Sequence, residues 1–435
     1  MKKQIIKYIL IFLLILSFNM IVYPLLLDEI WAYGFSYGIF NGLVPYRDYN
    51  MVITPFHPFF MSIFLFIYNN ILTLHIVNAT IMTYIFHIIE KMYKEKAYYL
   101  LLLYFVPIPI AMLNYNNFLL VFLILIIYLE KSKIKNKDLL IGILIALSFL
   151  SKQSVGIFYI IPSIIFFKKV DLKKRIVGFL IPNLILLIYL LLTNSLYNFI
   201  DLCFLGLLDF TNNTHGFNPM IILFIILIGI CIIIIKKHPK DMLGYYALCI
   251  FPVFLPILDS YHFMYCLFMT LMLYLEYYNI KARPKMLFVL SMFFIIFGGL
   301  INDINFKSEY PNNIKHFEYM FIPQGDIDEI NKVSKFVREH KTIIFDEDSY
   351  LYRIMNDQKI EYLDLVNHGN YGYNGAKKII KDLKKKKDYY VLIDRRDKKQ
   401  IDKHQIQLEK EGYYYILNNY KKVKQIGKYD IYKYD

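Results

Sequence analysis

Cysteine, tryptophan and charge are all scarce in this chain. Its 435 residues include 4 cysteines and 1 tryptophan, and only 19% of the residues are charged. The cysteines are scattered without a CxxC spacing, so the sequence predicts neither a disulfide framework nor a zinc site. A phosphate-binding GxxxxGK[ST] motif is absent as well. These absences argue against a disulfide-rich secreted domain and against a P-loop nucleotide-binding protein.

Apolar residues dominate the composition instead. Hydrophobic residues make up 57% of the chain and its mean hydropathy is +0.41, values too high for a soluble protein. Apolar runs of about 15–20 residues predict a polytopic α-helical membrane protein with about eleven spans. The first run follows a basic start but has no small-residue cleavage site, so we expect a retained span and not a cleaved signal peptide. The runs lie at 5–23, 71–89, 97–113, 117–130, 138–150, 155–167, 176–193, 219–235, 241–258, 262–278 and 286–302.

Positive charge falls in alternate gaps between these runs. The basic gaps are 2–3, 91–96, 131–137, 168–175, 236–240 and 281–285. If they face the cytoplasm, the N-terminus is cytoplasmic and the C-terminal region extracytoplasmic, provided that the run 56–68 forms a juxtamembrane helix that does not cross. The formal net charge of +14 then reports orientation in a multi-pass cell-membrane protein in contact with lipids, and no nucleic-acid partner is expected.

The composition changes near residue 303, which predicts a transmembrane domain over 1–302 and a small extracytoplasmic α/β domain over 303–435. Alternating strands and helices in the second region favour a mostly parallel sheet. We expect strands at 342–345, 361–365, 389–393, 413–417 and 430–434, and helices at 327–337, 375–387 and 399–411. Gly369, Gly372 and Gly375 have a GxxGxxG spacing that differs from the dinucleotide-binding fingerprint, and a plain loop explains it best.

The first extracytoplasmic loop, 24–70, carries an acidic pair directly after the first span. Asp28 and Glu29 precede several aromatic residues, where partial burial can tune a carboxylate for general-base catalysis. Such a base would activate a hydroxyl acceptor for attack on the anomeric carbon of a sugar. The alternative is that the pair caps a juxtamembrane helix, because acids suit a helix N-terminus.

Three other charged or titratable residues lie in the same loop. Arg47 and Asp48 could pair with each other, or Arg47 could face a phosphate, for which a guanidinium is well shaped. His57 lies between Pro55 and Pro58 and could bind phosphate or metal, or pack in a turn.

Residues in the other predicted outside segments could reach the same cleft. Lys152 lies outside against the charge rule, so an anion should compensate it, either a lipid-linked phosphate or an ordinary lipid headgroup. Asp259 and His262 lie at the outside edge of another span and could reach the cleft or cap a helix. Further candidate substrate-binding residues in these segments are Gln153, Tyr115, Asn114 and Asn116.

The segment DEIWAYGFSYGIFNGLVPYRDYNMVITPFHP resembles the first extracytoplasmic loop of GT-C glycosyltransferases, in particular the protein-mannosyltransferase and aminoarabinose-transferase group. The resemblance implies transfer of a sugar, with inversion, from a polyprenyl-phosphate donor to an envelope acceptor (a glycan, a lipid or a protein). Asp28 matches the family's catalytic or metal-binding aspartate, which makes a divalent metal ion an expected cofactor. Asp48 matches the aspartate of the family's turn, and the extracytoplasmic domain would bind the acceptor.

The sequence departs from this family at two places. Many relatives have a second aspartate where this chain reads Asn114-Tyr115-Asn116-Asn117, which argues against a bound divalent ion. The aminoarabinose branch uses a lysine before two prolines, whereas Thr54 to Pro58 contains none, so Arg47, His57 or Lys152 would hold the carrier phosphate. Two alternatives are a transporter or flippase of lipid-linked saccharides and a catalytically inactive envelope scaffold.

Overall fold

The computed structural model describes residues 2–21, 27–105, 110–211, 220–254, 259–280, 283–289, 291, 308–367, 369–396 and 409–435. The predicted span 286–302 and the predicted helix 399–411 lie mostly outside these residues. Helices of the N-terminal region are α1 Lys2–Ile21, α2 Leu27–Phe40, α3 Phe56–Leu65, α4 Ile71–Tyr93, α5 Ala97–Leu102, α6 Asn116–Lys131, α7 Lys137–Phe149, α8 Gln153–Gly156, α9 Ile161–Ile165, α10 Leu172–Leu192, α11 Leu196–Ile200, α12 Gly206–Thr211, α13 Met220–Lys237, α14 Met242–Leu248 and α15 Ser260–Tyr277. Short 3₁₀ helices occur at Lys94–Lys96, Ile157–Ile160 and Phe251–Phe254, and Asp201–Leu205 is a π-helix.

Among the described residues, four helices are long and apolar enough to cross a membrane: Lys2–Met20, Ile71–Leu102, Leu172–Leu192 and Met220–Lys237. These four helices indicate a helical membrane protein. They do not support the eleven or so spans that the sequence predicts. The difference has a structural cause, since the apolar runs 155–167 and 241–258 are broken into short helical pieces, and α6 and α7 have 16 and 13 residues.

The basic gaps meet at one end of the helix bundle. Lys96 Nζ donates to the backbone oxygens of Leu275 and Tyr278, and Lys169 Nζ donates to that of Lys240. Nearby, the buried guanidinium of Arg175 pairs with Glu130 at 2.8 Å and with Asp138 at 2.7 Å. The alternation of charge in the sequence therefore corresponds to a real clustering in space, as the positive-inside pattern predicts.

The acidic loop after α1 folds into helix α2, a turn, and helix α3. Asp28 and Glu29 lie in the first turn of α2, where carboxylates interact favourably with the helix dipole. The predicted run 56–68 becomes the 10-residue helix α3, which is too short to span a bilayer. Asn70 then caps α4 by accepting a hydrogen bond of 2.9 Å from the Leu72 amide.

The described residues of the C-terminal region form two sheets. Its strands are β1 Ser308–Glu309, β2 Ile322–Pro323, β3 Thr342–Phe345, β4 Tyr390–Asp394, β5 Tyr420–Ile426 and β6 Tyr429–Tyr434, and its helices are α16 Gln324–Glu339, α17 Ser349–Met355, α18 Gly375–Lys385 and α19 Lys410–Asn419. β1 and β2 pair antiparallel, and the larger sheet has the order β3-β4-β6-β5. In that sheet only β3 and β4 are parallel, so the expectation of a mostly parallel sheet is wrong.

Two of the predicted strands are helical. Residues 413–417 lie in α19, because Tyr413 and Ile416, three positions apart, are both buried on the same side of the helix. Residues 361–365 contain the 3₁₀ helix Tyr362–Asp364, which a reciprocal cap between Glu361 and Asp364 stabilises. The strands at 342–345, 389–393 and 430–434 are confirmed within one residue, whereas β5 was not predicted.

The C-terminal region packs directly on the first loop. Trp31 Nε1 donates to the Glu347 oxygen at 3.3 Å, and Asn50 Nδ2 donates to the Leu365 and Asn370 oxygens at 2.6 and 2.9 Å. One continuous hydrophobic core joins buried residues of the apolar helices to buried residues of α16 and α17. Helix α2, which carries the acidic pair, therefore lies between the helix bundle and the C-terminal region.

The loop that contains Gly369 and Gly372 holds this contact together. Gly372 has φ +75°, and a Cβ there would lie 2.3 Å from Oδ2 of Asp201. The Tyr373 amide donates to Oδ1 of Asp201 at 3.0 Å, and Lys378 pairs with the same carboxylate. Because only glycine fits this backbone conformation and this close approach, the glycine spacing serves packing, in line with the plain-loop interpretation.

Candidate active site

A carboxylate and a carboxamide from distant parts of the chain meet at the start of α2. Asn114 lies between the apolar stretch around α5 and the first turn of α6, and its Nδ2 donates a hydrogen bond of 2.7 Å to Oδ2 of Asp28. The Asn114 side-chain oxygen accepts from the Asn116 amide at 2.7 Å, which fixes the orientation of the carboxamide. The turn thus positions one oxygen of Asp28 and leaves Oδ1 for another group.

Lys152, a cation that interacts electrostatically with this carboxylate, is held by His262 and Asp259. Lys152 Nζ lies 3.3 Å from Nε2 of His262, and Nδ1 of His262 lies 2.9 Å from Oδ1 of Asp259. An ammonium group can only donate, so Nε2 accepts and the imidazole proton is on Nδ1, where it donates to Asp259. Asp259 also caps α15 by accepting from the His262 amide at 2.8 Å, so the capping alternative for this residue is confirmed.

The two charged groups perturb each other. Burial raises the pKa of the Asp28 carboxyl above its usual range, although the Lys152 charge and the Asn114 hydrogen bond oppose this. Burial lowers the pKa of the Lys152 amine to about 8, against the attraction of Asp28 and Asp259. The Lys152 residue is 8% exposed, whereas the Asp259 side chain is 39% exposed, so the cluster opens to the surface at one end.

Aromatic residues and asparagines form the wall of this cluster. The Lys152 ammonium lies 5.8 Å from the centre of the Tyr115 ring. Tyr261 and Tyr265 share a hydrogen bond of 2.6 Å, and Tyr265 donates to Oδ1 of Asn117 at 2.7 Å. These two tyrosines and Asn117 are not among the site residues predicted from the sequence. The signal for them is the presence of polar side chains at buried positions of otherwise apolar helices.

Glu29 is placed away from the Asp28 and Lys152 side chains. Its carboxylate is fully buried and lies 3.8 Å from Nε2 of the buried His75, which is too far for a hydrogen bond. Burial raises the pKa of Glu29 well above its usual range and so disfavours the ionised form of its carboxyl. Glu29 therefore faces the buried His75, whereas Asp28 interacts with Asn114 and Lys152.

The remaining loop candidates do not reach the cluster. Arg47 and Asp48 pair with each other through hydrogen bonds of 2.8 and 3.0 Å, and Oδ2 of Asp48 also accepts from the Val44 amide at 2.7 Å. His57 is buried against the Phe118 ring, and neither of its ring nitrogens has a hydrogen-bond partner among the residues that the structure describes. A charged imidazole would be costly there, so a role in binding phosphate is disfavoured.

Gln153 has a structural role next to Lys152. Its Nε2 donates to the backbone oxygens of Val52 and Cys203 at 3.2 and 2.5 Å. These bonds tie the Lys152 segment to the first loop and to the π-helix Asp201–Leu205. The Gln153 side chain therefore helps to fix the position of Lys152. Its amide nitrogen bonds to these two backbone oxygens and not to the cluster.

The donor groups at Asp28 do not fit a divalent metal ion. Within the described ranges no group of three or more His, Cys, Asp and Glu residues is arranged to hold a metal. Asp28 accepts a hydrogen bond from Asn114, and the ammonium of Lys152 already supplies positive charge beside it. A hard cation would need more oxygen ligands than this one carboxylate offers, and Lys152 would repel it.

The chain was compared with protein-family models, with curated proteins and with solved structures, and no match was found.

Proposed function

We propose that this protein is an integral-membrane glycosyltransferase that moves a sugar from a polyprenyl-phosphate donor to an envelope acceptor. The observation that carries this proposal is that the Asp28 carboxylate, held by Asn114, and the Lys152 ammonium, held by His262, lie within electrostatic reach of each other in one buried, aromatic-lined cluster. A base and a compact cation at the same place are the two groups that displacement of a phosphate by a hydroxyl requires.

The reaction divides between these groups in a simple way. Asp28 accepts the proton of the acceptor hydroxyl while the acceptor oxygen forms a bond to the anomeric carbon. The bond between that carbon and the phosphate oxygen breaks, and its electron pair leaves with the lipid phosphate. Attack from the face opposite the departing phosphate inverts the anomeric configuration.

Each perturbed pKa suits its role in this step. A carboxylate whose pKa is raised by burial is a stronger base than an ordinary aspartate, and the Lys152 charge and the Asn114 hydrogen bond favour its ionised form. The Lys152 amine, with a pKa of about 8, is mostly protonated at pH 7 and can stabilise the charge that develops on the phosphate. His262 and Asp259 hold this ammonium in position.

The finer architecture is part of the same proposal. We place the protein among GT-C-like enzymes, with a cytoplasmic N-terminus and an extracytoplasmic C-terminal region. Further crossings, beyond the four long helices, would come from the apolar helices α6, α7 and α15, which are not among those four. The basic gaps lie together at one end of the bundle, whereas Asp28 and Lys152 lie in a different cluster. This separation supports the proposed orientation.

The test uses the purified full-length protein in phospholipid nanodiscs. A panel of polyprenyl-phosphate-linked sugars is supplied with a hydroxyl acceptor, and the release of polyprenyl phosphate is followed by mass spectrometry. The proposal expects release with at least one donor, and a product whose anomeric configuration is opposite to that of the donor by NMR. Movement of the intact donor between leaflets without any release would favour a flippase instead.

A further inference from the structure

A polar cavity lies where the C-terminal region meets the helix bundle, and neither Asp28 nor Lys152 lines it. Its volume is 310 Å³, which is at the lower end of the range of small-ligand sites. Arg47 of the first loop, Tyr197 and Asn198 of α11, and lysines of α18 line it. Both regions contribute side chains, so the cavity is complete only when they are docked.

Helical spacing directs one charged face of α18 into this cavity. Lys378, Lys381 and Lys385 are separated by three and four positions, so they share a side of the helix, and all three line the cavity. Lys384 lies on another face, with its ammonium 5.7 Å from the centre of the Tyr415 ring. The lysine-rich sequence of α18 is therefore divided between a cavity face and a solvent face.

The charge of the cavity is positive overall. Its lining contains four cations, the three lysines and Arg47, but only two carboxylates, Asp201 and Asp382. Three of these cations already pair with carboxylates, Arg47 with Asp48, Lys378 with Asp201 and Lys385 with Asp382, and the balance is one positive charge when Asp48 is counted as well. Within the part of the chain that the structure describes, Lys381 forms no ion pair, so its charge is available to a ligand.

The uncharged lining suits a sugar. The Tyr197 side chain is exposed and offers a flat apolar surface of the kind on which a pyranose ring stacks. Tyr362 and Tyr371 pack edge to face, with their ring centres 5.9 Å apart, and form a second aromatic wall. Asn198 donates to the Tyr46 oxygen at 2.9 Å, which fixes α11 on the first loop next to these rings.

A rigid connection links the cavity to the Asp28 cluster. Asp201 and Leu202 line the cavity and belong to the π-helix Asp201–Leu205, an irregularity that is frequent at functional sites. The next residue, Cys203, accepts a hydrogen bond from Gln153, the neighbour of Lys152 in the chain. A ligand that extends from the cavity past this segment would approach the residues around Lys152.

From this geometry we infer that the cavity binds an anionic saccharide, meaning a sugar unit that carries a phosphate or a carboxylate, as part of the acceptor. The lysines and Arg47 would bind the acidic group and Tyr197 would stack on the ring. The identification as an acceptor site rests on the proposed glycosyl transfer, whereas the binding itself does not.

Binding is measured by saturation-transfer NMR on the full-length protein in phosphatidylcholine nanodiscs, with glucose 6-phosphate, glucuronate, glucose and inorganic phosphate as separate probes. We expect the two acidic sugars to bind more tightly than glucose or phosphate alone. Lys381→Met should weaken binding of glucose 6-phosphate about 5-fold, because it removes an exposed cation that has no ion-pair partner among the described residues. Lys385→Met should weaken it less, about 2-fold, because Lys385 is exposed and already pairs with Asp382. Tyr197→Ala should weaken binding about 5-fold through loss of the stacking surface.

The matched controls lie outside the cavity. Lys384→Met removes a lysine from the other face of the same helix, and Tyr414→Ala removes an exposed tyrosine from α19, so both should leave binding unchanged. Equal losses in the controls, or equal binding of glucose and glucose 6-phosphate, would overturn the inference. Displacement of the acidic sugars when phosphatidylglycerol is added to the nanodisc would assign the cavity to a lipid headgroup instead.

One further variant separates this inference from the proposed function. Asp28→Asn should lower the rate of transfer about 10²-fold to 10⁴-fold but leave the binding of glucose 6-phosphate within about 2-fold, since Asp28 does not line the cavity. Transfer by a protein that fails to bind the acidic sugars would contradict only the inference. Binding by a wild-type protein that transfers no sugar would contradict only the proposed function.

Discussion

Asn114 Nδ2 donates a hydrogen bond of 2.7 Å to Oδ2 of Asp28, so a carboxamide supports the carboxylate that we propose as the base. This bond favours the ionised form and lowers the pKa of Asp28 against the effect of burial. A substitution that replaces this hydrogen bond should therefore change the pKa of Asp28.

Asn114→Asp should move the acidic limb of the kcat/KM profile to higher pH. A second carboxylate beside Asp28 would disfavour its ionisation, and we expect a shift of about one pH unit or more. The profile is measured with the donor that gives the highest rate. Asn41→Asp, which places the same charge at an exposed position near the end of α2, should leave the limb where it is, and an equal shift in both variants would contradict the assignment.

Lys152→Arg should change the alkaline side of the same profile. The pKa of Lys152 is about 8 because of burial, so the wild-type rate should fall as the pH rises through that value. A guanidinium stays protonated far above this pH, so the variant should keep its rate, even if that rate is lower, beyond pH 9. An alkaline limb that stays near pH 8 in the variant would show that another group causes it.

Gly372→Ala should loosen the contact between the C-terminal region and the π-helix. The new Cβ would have φ +75° and lie 2.3 Å from Asp201 Oδ2, so backbone strain and a clash coincide. Hydrogen exchange of the Tyr373 amide, which bonds to Asp201, should accelerate about 10-fold or more. Gly42→Ala is the matched control, because Gly42 has φ +76° but open space around it, and it should leave this amide protected.

Lys428→Met should destabilise the larger sheet. The Lys428 ammonium lies 3.2 Å from Asp346, 2.6 Å from Asp348 and 3.3 Å from Asp394. Its removal takes the cation away from Asp346 and Asp348, whereas Asp394 keeps its ion pair with Arg396. Burial alone would lower the pKa of Lys428, but Asp346 and Asp348 raise it above the usual lysine value. The stabilisation is therefore complete at pH 7 and is lost only as the pH rises above the ordinary lysine range.

We expect a loss of about 2–3 kcal/mol, since the side chain is mostly but not fully buried. Amides of β4 and β6 in the full-length protein should then exchange about 10²-fold faster at pH 7. Lys332→Met removes an exposed lysine from α16 and should change these rates by less than about 2-fold. Unchanged exchange in Lys428→Met would mean that the three carboxylates do not depend on this cation.

Asp28 and Lys152, two predicted site residues that interact in the structure, both break a rule of the membrane environment. Asp28 follows a span, and Lys152 lies in a gap where lysine is not expected, and the structure places their side chains in one cluster. Arg47 also breaks the charge rule, but it lies with Asp48 at the edge of the polar cavity. The charge rule indicates that a cation has an unusual environment, but it does not indicate where in the fold that cation lies.

The remaining features depend on contacts that the sequence does not encode locally. The hydrogen bonds of Tyr261, Tyr265 and Asn117 join α6 to α15, and neither helix has a motif that predicts the other as its neighbour. In the C-terminal region, aromatic residues at 413–417 have strand propensity, yet burial of Tyr413 and Ile416 on one side makes the segment helical. Tertiary packing decided both outcomes.

The most direct test of the central claim is the rate at which polyprenyl phosphate is released by Asp28→Asn compared with the wild-type protein. Asparagine has nearly the same shape as aspartate but cannot accept the proton, so the rate should fall about 10²-fold to 10⁴-fold. Asp328→Asn makes the same chemical change at an exposed position of α16 and should keep the wild-type rate. Release by Asp28→Asn at the wild-type rate, in a protein that folds normally, would contradict the proposed catalytic role of Asp28.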